Sequence, residues 1–244
     1  MRTRWKSFLW LAALAIVAFV VARCYFRTES YRYKLTFAVN TAEGVERGSS
    51  VTEATFWEVS FPEHGVMHKL HGEALYLDLG PGRRPLIALL TSQLHPIQAK
   101  NYGEYQKKIR WSRDAGPSDN LLTELYGPQS EDVLDDISRL ARMRGAHRIT
   151  PGDLPDLVTF VDIKDPKSVI DVDPNDLKAT LGPDVSWNEI TLESTDEPVT
   201  EGIEKKLTWL PAYNSKGATL DGSPYSSKNT VANILYPWDF YQND

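Results

Sequence analysis

Tyr31-Arg32-Tyr33-Lys34-Leu35-Thr36-Phe37-Ala38-Val39 alternates between two kinds of side chain. In an extended chain successive side chains leave opposite faces. Tyr31, Tyr33, Leu35, Phe37 and Val39 therefore share one face, and Arg32, Lys34, Thr36 and Ala38 the other. This pattern predicts a strand buried on one side, as in an antiparallel sheet lying on a core. Downstream, Gly44 and Gly48-Ser49-Ser50 read as a loop. Val51 to Phe61 reads as a second strand, with Val51, Thr55, Trp57, Val59 and Phe61 in phase. Pro62-Glu63-His64-Gly65 turns the chain, and Val66 to Leu79 is a third strand region bent at Gly72. Gly80-Pro81-Gly82 makes the next turn, before a short buried strand from Leu86 to Leu90. Tight turns between four successive strands predict an antiparallel meander.

Beyond Leu90 the character changes. Gln93 to Pro128 has weak periodicity and takes no assignment. Ser130 to Arg144 is the main predicted helix. Ser130 caps it, and Glu131 and Asp132 suit the positive N-terminus. Val133, Leu134, Ile137, Leu140 and Ala141 form its apolar stripe, and Gly145 closes it. Strands return at Leu157–Ile163, Val169–Val172 and Val185–Leu192, the last with Ile190 and Leu192 inward. Between them Asp173-Pro174 starts a brief helix that runs to Leu181. Ser215 to Asn229 is rich in Ser, Gly and Asn and reads as a mobile loop. The fold class is α+β: residues 28–244 form a β-rich domain, with subdomains at about 28–92 and 150–213 joined by a helical middle.

Upstream of the first strand, Phe8 to Ala22 is uninterrupted apolar sequence. Trp5, Trp10, Tyr25 and Phe26 suit membrane interfaces, and Lys6 and Arg23 can snorkel, which extends the segment to a full span. Residues 1–27 are read as a basic stub and transmembrane anchor. A cleaved signal, with Val20 and Ala22 before the cut, is the rival reading. A lipoprotein signal at Cys24 is disfavoured by the bulky Arg23 before it. Basic residues flank both sides of the segment. A basic stub before a signal-like helix favours a single-pass protein with its domain on the outer side of the membrane.

Charge narrows the partners. The chain has 27 basic and 33 acidic side chains. Arg2, Arg4, Lys6, Arg23 and Arg27 lie in the first 27 residues with no acid, so the remainder carries 22 against 33, a net of −11. Such a domain repels nucleic acid and anionic lipid. Cys24 is the only cysteine, which excludes an intramolecular disulfide and a thiolate cluster.

Tyr31–Phe56 (YRYKLTFAVNTAEGVERGSSVTEATF), Gly72–Gly80 (GEALYLDLG) and Asp153–Tyr213, most specifically Asp165-Pro166-Lys167-Ser168-Val169, resemble a family of uncharacterised bacterial proteins with an N-terminal hydrophobic segment. The resemblance implies a bacterial envelope protein, which with the anchor places the chain in the inner membrane with its domain on the periplasmic side, and carries no activity.

Candidate chemistry is sparse. His64, His68 and His71 would share a face on a helix, but the segment suits a strand, where His68 and His71 diverge. Asp171, Asp173, Asn175 and Asp176 open like a calcium loop. Asp176 stands where that loop needs Gly, and Gly182 where it needs Glu. Gly80-Pro81-Gly82-Arg83-Arg84 lacks the lysine of a phosphate loop, and no G-x-S-x-G occurs. No catalytic residue, metal or cofactor is therefore assigned.

The expected function is a non-catalytic tethered module that binds another envelope protein or a surface polymer. The alternative is a small envelope hydrolase using paired carboxylates. Partner contacts are expected at Tyr236, Trp238, Phe240 and Tyr241, crowded into the last residues. Their bland role is docking on their own domain, with Val231–Leu235 as an added strand.

Overall fold

A computed structural model describes residues 27–59, 65–90, 94 and 133–243. The predicted anchor Phe8–Ala22, Cys24, His64 and the helix-capping residues Ser130, Glu131 and Asp132 lie outside the described residues, as does most of Gln93–Pro128. Among the described residues, no helix is long and apolar enough to cross a membrane.

The alternating stretch forms strand β1 (Thr28–Thr41), the centre of a six-stranded sheet. Tyr33, Leu35 and Phe37 are buried, and Lys34 and Thr36 lie outward and half-buried. β1 pairs antiparallel with β2 (Gly44–Val59) on one side and β9 (Ser186–Thr195) on the other. No loop interrupts Gly44–Ser50, contrary to expectation. Thr41 pairs with Gly44, so Ala42-Glu43 alone turns the chain. Gly44 takes a φ of +141°, which favours glycine at the end of so short a turn.

β2 also corrects the expected phase. Ala54 and Phe56 face the core, while Thr55 and Trp57 face out. Val51 is buried for another reason. Its N–H donates to the Thr200 hydroxyl (2.9 Å), and its carbonyl accepts from Thr200 N–H (3.0 Å), so a later segment covers it.

β3 (Gly65–Glu73) continues the sheet beside β2, and the chain then leaves it. At Gly72, where φ is +154°, an added Cβ would sit 3.0 Å from Thr52 Cα. That glycine lets the backbone swing into β4 (Leu75–Leu77), which belongs to a second sheet. The four strands up to Leu90 are therefore not one meander. β5 (Leu86–Ala88) pairs with β4 and with β7 (Leu157–Phe160), and β8 (Val169–Val172) pairs with β7, all antiparallel. The expected groups 28–92 and 150–213 each contribute strands to both sheets. Short β6 (His147–Arg148) and β10 (Tyr241–Gln242) close the two edges of the larger sheet.

Helix α1 (Val133–Leu140) packs Leu134, Ile137 and Leu140 against β1, and the Ser194 hydroxyl donates to the Leu140 carbonyl (2.8 Å). It ends at Leu140, short of the expected Arg144. Helix α2 (Leu177–Leu181) is capped by Asp176, not Asp173. The Asp176 carboxylate accepts from Ala179 N–H, while Asp173 accepts from Asn175 N–H in the turn before it.

The smaller sheet is apolar on both faces, as a sheet between two layers must be. Leu86, Ala88 and Leu157 meet the large sheet and α1. Ile87, Val158 and Phe160 meet the C-terminal segment, with Ile203, Leu207, Trp209, Leu235 and Phe240. That segment folds as helices α3 (Leu210–Asn214) and α4 (Val231–Ile234) and short 3-10 turns.

Candidate binding surface

The C-terminal aromatics are placed by a chain of local causes. Val231–Leu235 is not an added strand: Val231–Ile234 forms α4, and strand addition occurs later, where Tyr241 and Gln242 pair with Glu73 and Gly72. The Ser215–Asn229 loop is tied from beneath. Buried Asn233 accepts from Ser227 and Lys228 N–H and donates to Asp221 (3.0 Å). Hydrogen bonds led by Ser223, with Thr219 and Asn233, hold the Asp221 carboxyl well below the usual carboxylate range. Pro237 then opens a 3-10 turn in which buried Asp239 accepts from Tyr236 N–H (2.7 Å).

This frame separates the four aromatics. Phe240 is wholly buried between Phe160 and Trp209, at ring separations of 6.1 and 5.7 Å. Tyr241 is half-buried in β10. Tyr236 stacks on Trp238 at 4.1 Å and 9° between ring planes, and its hydroxyl accepts from Ser226 N–H. Trp238 remains 38% exposed on that support.

Trp238 and Tyr241 line an open groove of about 690 Å³ beside the β3 edge, with Lys69 and Leu70 on the strand side. Asn214, Gln242 and Asn243 complete its wall. None of these groove residues is acidic. Tryptophan can be read in the sequence as a buried or binding residue with equal ease. Nothing in the order of residues marks Asn214, at the end of α3, as a neighbour of Asn243.

The other candidates have structural duties. Glu73 is buried, and its carboxylate accepts from Gly202 and Ile203 N–H at 2.8 and 2.7 Å. Burial pushes its carboxyl up, against the pull of those two amides, and Glu204 adds to the rise. Both oxygens are engaged in fastening the C-terminal segment to the end of β3. Arg83 forms a forked pair with Asp184 (3.2 and 2.6 Å) and reaches Glu43 at 2.9 Å, which locks the Gly80–Arg84 turn against the β1–β2 hairpin. This pairing holds the Asp184 carboxyl down to about 2.

Asp156, Asp171 and Asp173 line one pocket of about 450 Å³, the place where a paired-carboxylate reading would look. Asp156 accepts from Leu94 N–H (2.7 Å) and Asp173 from Asn175 N–H, so at least two of the three serve the local backbone. On β3, His68 packs against Phe56 at 5.8 Å. No group of three metal-ligating side chains occurs among the described residues.

Compared with known proteins, the chain matches no protein family, no curated protein and no solved structure.

Proposed function

We propose that this protein is a tethered binding module of the bacterial envelope. In this reading Phe8–Ala22 is a single transmembrane helix of the inner membrane, and the β-rich domain stands on its periplasmic side. The partner, an envelope protein or a surface polymer, is taken at the groove by Trp238 and Tyr241. Tyr236 backs Trp238, and Phe240 anchors the surface to the core. The observation that carries the reading is Trp238, left 38% exposed on a stacked support at a groove. Aromatic residues of this kind dominate recognition surfaces because they offer large contact area at little conformational cost. The hydrolase alternative is weaker, because the buried carboxylates of Glu73, Asp156 and Asp239 hold backbone amides and Asp136 pairs with Arg139.

Two measurements test it. A benzophenone amino acid at position 238, irradiated in cells, should give a covalent adduct, while the same probe at position 84 should not. Absence of an adduct at 238 removes the binding reading. The full chain should stay with membranes after carbonate washing. A soluble product beginning at Arg23 would replace the anchor with a cleaved signal.

A further inference from the structure

We infer that the groove beside β3 accepts an uncharged polysaccharide chain, an inference that rests on the binding-module reading and names its ligand. Four features of the groove point the same way.

First, its polar groups are amides with capacity to spare. Among the described residues, the side chains of Asn214 and Asn243 make no hydrogen bond. Gln242 Nε2 donates weakly to the Trp238 carbonyl at 3.3 Å, which leaves its Oε1 free to accept. Each amide presents a donor and an acceptor side by side. Sugar hydroxyls also donate and accept at once, so neighbouring hydroxyls on a pyranose ring match an amide in either orientation.

Second, Trp238 lines the groove while Tyr236 does not, and the 4.1 Å stack between them holds the indole steady. A flat apolar surface beside unspent amides suits a ring with C–H bonds on its faces and hydroxyls around its rim. Third, the charge is wrong for a polyanion. Among the described residues of the lining Lys69 is the single cation and no arginine offers a forked contact, and the domain beyond Arg27 has 22 basic against 33 acidic side chains, net −11. Fourth, about 690 Å³ lies within the usual range for small-molecule sites, and the groove is open to solvent rather than enclosed, so a ligand larger than the groove can extend beyond the residues it contacts.

A peptide strand fits less well. β10 pairs with β3 at Gly72 and Glu73, so a strand added to β3 could not continue past the end where Tyr241 and Gln242 line the groove.

The experiment uses the full chain in a detergent without a sugar headgroup, with cellohexaose, chitohexaose and laminarihexaose as probes and heparin as the polyanionic control. Calorimetric titration is expected to show saturable binding of at least one neutral oligosaccharide and none of heparin. Trp238→Ala should weaken that binding by about ten-fold or more, equivalent to about 1.4 kcal/mol. Asn214→Ala, at an exposed helix end, should weaken it while leaving the melting temperature unchanged, which separates recognition from folding. Absence of saturable binding by all three neutral probes overturns the inference, as does binding insensitive to both substitutions or restricted to heparin. If the probe at position 238 crosslinks to polypeptide while no oligosaccharide binds, the binding module stands and its glycan ligand falls. If position 238 yields no adduct, the underlying reading falls as well.

Discussion

Replacing Phe240 with alanine tests whether the last residues are part of the core. The ring is fully buried, contacts Phe160 and Trp209, and sits on a backbone whose carbonyl accepts from Ala74 N–H at 2.7 Å. Truncating such a ring removes its transfer free energy and leaves a cavity, a cost of about 3–5 kcal/mol. Native domains are stable by only about 5–15 kcal/mol, so the loss is a large share of the total. At about 2–4 °C per kcal/mol for a chain of this size, the melting temperature should fall by roughly 6–20 °C. Phe240→Leu should cost less than about 1.5 kcal/mol, because it keeps most of the volume. Trp238→Ala, on the exposed ring, should shift the midpoint by only a few degrees. Near-ultraviolet circular dichroism against temperature reads all three. A Phe240→Ala midpoint within about 2 °C of the parent would show that the tail is not core. A Trp238→Ala loss as large as that of Phe240→Ala would show that the exposed ring is structural.

Three other outcomes follow from the packing. Thr159 is fully buried, and its hydroxyl has no hydrogen-bond partner among the described residues; Thr159→Val should raise the urea midpoint by about 1–3 kcal/mol equivalent, and a lowered midpoint would reveal a partner. Gly72→Ala forces a Cβ to within 3.0 Å of Thr52 Cα at a positive φ, and should destabilise by more than about 1 kcal/mol in the same assay, an unchanged midpoint refuting the sheet switch at that residue. Asp184 and Glu73 should respond oppositely to acid. The depressed Asp184 carboxyl adds stability that is present above its ordinary value of 3.8 and lost as pH falls toward about 2, whereas raised Glu73 adds stability as pH falls through its raised value toward 4.5. Urea midpoints against pH should therefore decline less steeply between 3.8 and about 2 in Asp184→Asn, with the remaining decline owed in part to Asp221, and an unaltered slope would show that the Arg83–Asp184 pair adds no stability.

The first strand was legible because from Tyr31 to Phe37 only one of its faces is buried, so alternation at Tyr33, Leu35 and Phe37 reports the core directly; beyond it Ala38, read as outward, is buried where the pairing with β9 shifts register. β2 misled for the opposite reason. Val51 is covered by Thr200, far away in sequence, so its burial set a phase that Ala54 and Phe56 do not follow. The sheet switch was half legible: Gly72 marked a bend, but no local pattern says that β4 joins another sheet. The C-terminal segment was least legible. Leu207, Leu210, Leu220, Leu235 and Phe240 are spaced with neither period, because short helices and turns, rather than one regular element, deliver them to the core. The aromatic cluster was visible as composition. Its division into a buried Phe240 and an exposed Trp238 depends on the 3-10 turn after Pro237, and the amides around it are neighbours only in space.

The position of β1 has a mechanical consequence. A load applied at its first residue runs along a strand laddered to β2 over Thr28–Thr41 and to β9 over Arg32–Asn40. Traction along that axis shears many parallel hydrogen bonds together instead of peeling them one by one, so the domain yields only when both ladders slip at once.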